Sequence, residues 1–286
     1  MSNSAGAPRA VEFLFLGTGT SSGVPVIGCS CAVCTSTDPR DRRLRCGAAL
    51  RYTDHSGAPR VILIDTPPDH REQSLRHRFD RCDAIVYTHN HVDHTFGLDD
   101  VRRYNAMMRQ PIDTWGDEHT LEHLKRVYAH IFDRHKNVND SFVADLIPRL
   151  VPTEGHFVVH GLRFTPLPLL HGRLPVLGYR VEAVDASGAI ALEQPGPLPL
   201  GYCTDVNAIP PATWRKLQGL RTLVLDMLRY RAHPTHFTVD EAIDTAERIG
   251  ASSTYFIHMT HDIRHAELDP LLPKSMALAF DGLALK

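Results

Sequence analysis

The 286-residue chain has no apolar run that approaches the roughly 20 residues needed to span a bilayer. Its opening, MSNSAGAPRA, lacks the apolar core of a secretory signal and reads as a loose tail over residues 1–10. These absences set the expectation of a cytoplasmic protein with no membrane partner. Repeats, low-complexity tracts and heptads are also missing, and Pro and Gly are spread along the chain rather than gathered into a linker. One domain over residues 1–286 is therefore expected. Charge of one sign is lacking too: 31 basic and 33 acidic side chains leave a formal net charge of −2. That balance argues against a nucleic-acid partner gripped by bulk positive charge, nucleotides apart.

Cysteine is scarce, at 6, but unevenly placed. Cys29, Cys31 and Cys34 crowd together, while Cys46, Cys82 and Cys203 are scattered. This is not the spacing of a disulfide framework, and a tight cluster in a reducing compartment more often holds a metal. Against these scarcities stand 18 histidines. Histidine is the commonest metal ligand and titrates near neutrality, so the excess needs an explanation.

Apolar runs rich in β-branched residues predict strands at Val11–Leu16, Val61–Ile64, Ala84–Tyr87, Phe157–His160, Phe164–Leu170, Leu223–Asp226 and Thr254–Ile257. A helical stripe predicts one helix over Asp117–Phe132. Thr238 and Glu241 stand at capping-box spacing before a second helix, which Gly250 ends. Strands dominate both halves and each half adds helices, which points to an α/β sandwich.

The strongest signal is His89-Asn90-His91-Val92-Asp93-His94, directly after the strand at Ala84–Tyr87. His89 and His91 alternate in an extended segment and can face one side, while Asp93 and His94 fall on the following turn. So many polar side chains beside a buried strand are costly without a use. A second signal is the Cys29-x-Cys31-x-x-Cys34 loop, within residues 28–46. Three thiolates are one ligand short of a tetrahedral zinc site. His261, three residues after His258, is the leading fourth ligand, and His265 is the alternative.

HNHVDH resembles the HxHxDH signature of the metallo-β-lactamase superfamily. The likeness extends to FLGTGTSSGVPVIGC, to ILIDTPPDHREQ and to isolated later residues in the same order. It implies a four-layer αβ/βα sandwich with two mixed sheets flanked by helices. It further implies His171, Asp205 and His258 as ligands, and Asp65 as a residue that orients them. His89, His91 and His171 would serve one ion, Asp93, His94 and His258 the other, with Asp205 shared. Nitrogen and carboxylate ligands suit zinc, manganese or iron. The GCSCAVC loop with a later HxxH pair narrows the likeness to PhnP-like phosphodiesterases. By that resemblance Cys29, Cys31, Cys34 and His261 bind a structural zinc. His236 would face the phosphate, with His233 a nearby competitor, and Asp281 would stand behind the metals.

The resemblance implies a metal-dependent phosphodiesterase with two active-site ions, zinc or manganese. Its substrate would be a small phosphorylated molecule of the 5-phosphoribosyl 1,2-cyclic phosphate or 2′,3′-cyclic nucleotide type. A hydroxide between the ions would attack phosphorus, oriented by Asp93, and His236 would protonate the leaving oxygen or stabilise phosphoryl charge. A tRNase Z-like nuclease, a PqqB-like protein and a non-catalytic metal binder are the rivals, and a homodimer is compatible with the pattern. Arg40, Arg42, Arg43 and Arg45 read either as a solvated face or as a phosphate attractor, and Arg102 and Arg103 as better placed for the latter. His119, His123 and His130 read as surface or packing residues.

Overall fold

The computed structural model describes residues 6–133 and 142–286, and its described strands form two seven-stranded sheets. The first contains β1 (Arg9–Gly17), β2 (Gly47–Thr53), β3 (Pro59–Ile64), β4 (Ala84–Val86), β5 (Ile112–Gly116) and β6 (Leu146–Leu150). The second contains β7 (Phe157–Val159), β8 (Leu162–His171), β9 (Leu174–Ala183), β10 (Leu200–Cys203), β11 (Thr222–Asp226), β12 (Ser253–Ile257) and β13 (Met276–Leu278). The last strand, β14 (Ala284–Leu285), returns to pair with β1, so the first sheet runs β14-β1-β2-β3-β4-β5-β6 and the second β13-β12-β11-β10-β9-β8-β7.

Both sheets are mixed. The strands β1, β2 and β3 pair antiparallel, then β3 to β6 pair parallel. The second sheet mirrors this, with β7 to β10 antiparallel and β10 to β13 parallel. Strand period explains the layers. On β1, Phe13 and Phe15 enter the core between the sheets with Ile62, Phe164, Tyr179 and Tyr202. Leu14 and Leu16 point the other way, under helices, with Leu63, Ile85 and Leu124. On the far sheet, Leu223, Leu225 and Phe256 pack outward against Ala242 and Ala246 of helix Val239–Ile249. Two sheets flanked by helices, the sandwich expected above, follow from strands buried on both faces. No helix of the described residues is long and apolar enough to cross a membrane.

Several local expectations change. Arg9 and Ala10 belong to β1, so the segment read as a tail is strand from Arg9, while residues 1–5 lie outside the described residues. The helix expected over Asp117–Phe132 is two, Glu118–Val127 and Ala129–Phe132, broken at Tyr128. Tyr128 leaves helical geometry, and its hydroxyl donates to the Thr95 carbonyl (3.0 Å), a tertiary bond that periodicity does not encode. The capping box at Thr238 and Glu241 forms, and Gly250 caps the other end in the left-handed region.

Gly97 shows how packing places the site. A Cβ there would lie 2.1 Å from the Pro67 carbonyl oxygen and 2.6 Å from His70 Cβ. The Gly97 amide donates to Thr66 O (2.9 Å), and the Thr66 amide to His94 O (2.8 Å), so this contact joins the Asp65 and His94 segments. Gly97→Ala should force them apart, cost about 2 kcal/mol or more of unfolding free energy in urea, and lower metal content.

Candidate metal centre

The candidate residues gather at one end of the sandwich, past the carboxyl ends of β4, β8, β10, β11 and β12. Parallel strands end together, so their following residues converge. Three of them, Asp65, Asp205 and His258, hold left-handed backbone (φ 62°, 51° and 65°), which non-glycine residues rarely adopt. Each lies just after a strand, where this sharp turn aims the side chain inward.

Asp205 is the hub. Its carboxylate lies 3.2 Å from His94 Nε2, 3.3 Å from His258 Nε2 and 3.8 Å from His89 Nε2. Donor atoms of Asp93, His94, Asp205 and His258 all lie within 4.8 Å of one another, as do those of His89, His91 and Asp205, and those of His171, Asp205 and His236. The His91 ring is 4.6 Å from His89 and 5.2 Å from His171, which joins the first three histidines. Both ligand sets proposed from the sequence thus come together around Asp205.

Outer contacts orient the rings. His94 Nδ1 donates to Asp65 (2.8 Å), His171 Nδ1 to the Thr235 carbonyl (2.8 Å) and His89 Nδ1 to Thr88 Oγ1 (3.0 Å). Thr88 in turn donates to Asp65 through its amide and hydroxyl. With Nδ1 engaged, Nε2 carries the free lone pair, the arrangement typical of a metal-ligating imidazole. His89 Nε2, His94 Nε2 and His258 Nε2 are buried without a hydrogen-bond partner among the described residues. Such orphans are costly unless something fills the space between them, and a divalent ion fits this donor set.

Electrostatics agree. Burial opposes charge on His94, yet Asp205, Asp93 and Asp65 hold it well above the ordinary histidine value. Burial likewise opposes charge on His258, but Asp205 and Asp93 raise it to about 9. Burial would push Asp205 up, and His258 and His94 instead hold it well below the carboxylate range. Burial, then His94, drives His89 well below its usual value. The buried carboxylates thus require positive charge, from protons or from metal.

The cysteine loop forms a separate site. His261 Nδ1 lies 3.2 Å from Cys29 Sγ, 3.4 Å from Cys31 Sγ and 3.4 Å from Cys34 Sγ. A tetrahedral zinc with ordinary bond lengths requires sulfur–nitrogen separations of about 3.5 Å. The Cys34 amide donates to Cys31 Sγ and draws that thiol down to about 6, while burial pushes the Cys34 thiol up to about 11, so the loop holds one readily formed thiolate in the absence of a cation. His265 is elsewhere: it is buried, its amide donates to Asp41 (2.8 Å), and its Nε2 lies 3.8 Å from Asp269.

Three of the four arginines after the loop are held by protein groups, and Arg42 is exposed. Arg43 is buried, paired with Asp41 (3.2 Å), and donates to the carbonyls of Thr260 and Ile263 (2.8 Å each). It ties the cysteine loop to the segment that carries His258 and His261. Arg45 pairs with Asp69 and Arg40 with Asp38, so a phosphate-attracting cluster does not form. Arg102 pairs with Asp99, and Arg103 lines a cavity away from the cluster. Asp281 accepts from Thr18 Oγ1 (2.9 Å) and the Leu44 amide (2.8 Å), so its hydrogen bonds go to neither ligand set. His119 reaches Asn90 (3.2 Å), while His123 and His130 face Arg126 and Asp99.

His236 sits against the cluster, its ring 4.5 Å from both His171 and His258. Its Nδ1 donates to Asp226 Oδ2 (2.6 Å). The same Asp226 oxygen accepts the Val206 amide (3.0 Å), beside Asp205, so one fully buried carboxylate orients His236 and the Asp205 turn. Asp226 is a site residue beyond those expected from the sequence, although an acid closing the apolar run Leu223–Asp226 is a readable signal. His233 is 5.2 Å from His236 and turned toward Thr235. Thr235 and Thr88 act through a backbone carbonyl and a hydroxyl, and no sequence signal marks them.

Residues 60–259 match the model of the beta-lactamase superfamily domain. The chain belongs to the metallo-β-lactamase superfamily. A crystal structure of a diphosphatase from the PhnP family is 39% identical, covers 96% of both chains and superposes with a TM-score of 0.82. An octanoyltransferase of Porphyromonas gingivalis is 35% identical over 274 residues, 94% of this chain but only 50% of that protein. The chain thus spans half the length of that relative. Zinc-bound PqqB of Methylobacterium extorquens shares the fold (TM-score 0.72, 18% identity, 96% and 99% covered).

Metallo-β-lactamase folds bind divalent metals such as zinc. An imidazolium cannot ligate, so an ion held by His94 and His258 would have to displace their protons. Metal affinity should therefore climb with pH toward about 9, and calorimetric uptake heats should change with the buffer's ionisation enthalpy. Uptake insensitive to pH would contradict the charge balance. His261→Ala should lower bound metal by one ion per chain, whereas His265→Gln should leave the count unchanged, both read by elemental analysis.

Proposed function

We propose that this superfamily hydrolase is a phosphodiesterase for a small cyclic phosphodiester, of the 5-phosphoribosyl 1,2-cyclic phosphate or 2′,3′-cyclic nucleotide type. Its cofactors in this reading are two active-site ions, zinc or manganese, and one structural zinc at the cysteine loop. When bound, the active-site ions supply an activated water and neutralise charge that develops at phosphorus.

The Asp226–His236 pair carries the reading. Asp226 holds the His236 ring with Nδ1 protonated, which leaves Nε2 to exchange a proton with the substrate. A sugar alkoxide is a strongly basic leaving group and needs that proton, so an oriented acid beside the cluster suits an ester. Asp93, close to both His94 and His258, can orient the attacking water. A recess of about 280 Å³ adjoins His236, with Ser21, Ser22, Arg229 and Arg231 on its walls, a size and polarity suited to a small phosphorylated molecule. The near-neutral chain charge argues against an RNA substrate held by a basic surface.

The similarity to a PhnP-family diphosphatase favours a second reading, cleavage of a P–O–P anhydride. Phosphate leaves as a weak base and gains little from an acid. The two readings therefore separate on leaving-group dependence. His236→Ala should lower kcat about 10²- to 10⁴-fold on cyclic ribosyl and alkyl esters, and far less on p-nitrophenyl esters and diphosphates. Equal losses across the panel would remove the acid role. Asp205→Ala should abolish turnover of every substrate, and full activity in that variant would overturn the proposal.

A further inference from the structure

A cavity of about 330 Å³ lies between helix His70–His77 and helix Arg102–Met108, on the outer side of the first sheet. None of its lining residues belongs to the metal cluster or to the recess beside His236. Its walls are largely hydrocarbon, and two of the large apolar side chains there stay exposed, Leu75 at 62% and Met107 at 40%. Around them stand Arg71, Arg78 and Arg103, each without an ion-pair partner among the described residues, against one rim carboxylate, Asp100.

The buried side of the cavity is polar in a specific way. His70 lines it at 1% exposure, and its Nδ1 is buried without a hydrogen-bond partner among the described residues. Its Nε2 faces Ser74 Oγ (3.4 Å), which accepts from the Tyr104 hydroxyl (2.6 Å). Uncompensated guanidinium groups over an apolar wall select a ligand that has both an anionic end and a greasy one.

We propose that this cavity binds a small anionic amphiphile, a carboxylate, sulfonate or phosphate on a compact apolar body. The arginines hold the anion, and Leu75 and Met107 cover the apolar body.

The test uses the metal-loaded chain and 8-anilinonaphthalene-1-sulfonate, which joins one sulfonate to two aromatic units. Fluorescence titration should give one site per chain. Decanoate and decyl phosphate should displace the probe, and the stronger competitor identifies the preferred anion, while decanol should not compete. The Arg71→Ala/Arg103→Ala double variant should weaken binding about fivefold or more, with the urea midpoint unchanged. Met107→Glu, which sets a like charge in the cavity, should do the same and decides the matter if the double variant misfolds. Binding that both variants leave intact, or equal displacement by decanol, would overturn the proposal. So would a dimer in sedimentation that Met107→Glu dissociates while neither form binds the probe, because a second copy would then own this face.

Discussion

Asp205 is buried to 2% exposure and points its carboxylate at three imidazoles, with Asp93 alongside. Two carboxylates cannot be taken from water together without compensating charge, and the surrounding structure is organised to supply it. In the metal-free chain His94 and His258 answer by holding protons. A divalent ion held there would instead take lone pairs from the same positions, so that one arrangement would serve both states and couple metal content to pH.

That arrangement relies on a tier of groups behind the ligands. Asp65 restrains His94 and Thr88, Thr88 restrains His89, the Thr235 carbonyl restrains His171, and Asp226 restrains both His236 and the turn that bears Asp205. Each of these four rings presents a defined nitrogen because its outer one already has a partner, whereas His258 has both nitrogens unpartnered among the described residues. The left-handed backbone at Asp65, Asp205 and His258 serves the same end: strands buried on both faces hold those turns in a conformation the residues would not adopt alone. The cysteine site and the buried Arg43–Asp41 pair work at longer range, fastening the loop after β1 to the segment after β12. Metal geometry and fold stability are therefore linked through the same few strand ends.

Asp226 also decides how His236 is presented. It fixes a histidine that is itself near the ligand set, with donor atoms of His171, Asp205 and His236 within 4.8 Å of one another. A ring so placed could join the ligands or act on substrate. Its protonated Nδ1, locked to Asp226, and its contact with the polar recess favour the second role.

Much of this was legible without coordinates. HNHVDH after an apolar strand, the CxCxxC loop and the capped helix at Thr238 are local signals, because chelate spacing, thiolate crowding and capping all act within a few residues. The order of His171, Asp205 and His258 pointed to ligands only through family resemblance, since a single histidine after a strand carries no chemistry of its own. Local pattern does not show β2, β5, β6, β9 and β10, where alternation is weak or broken by Pro and Gly, nor β13 and β14, which are three and two residues long, and it runs one helix through Tyr128. It could not separate His261 from His265, or a solvated Arg43 from a buried one, because those distinctions rest on contacts between residues more than two hundred positions apart. The sequence by itself determined the kinds of donor and most of the strands that carry them, β10 before Asp205 excepted. Only the tertiary structure decided which donors meet, which nitrogen each ring presents and which charged groups stay in water, since these depend on distances that chain connectivity does not set.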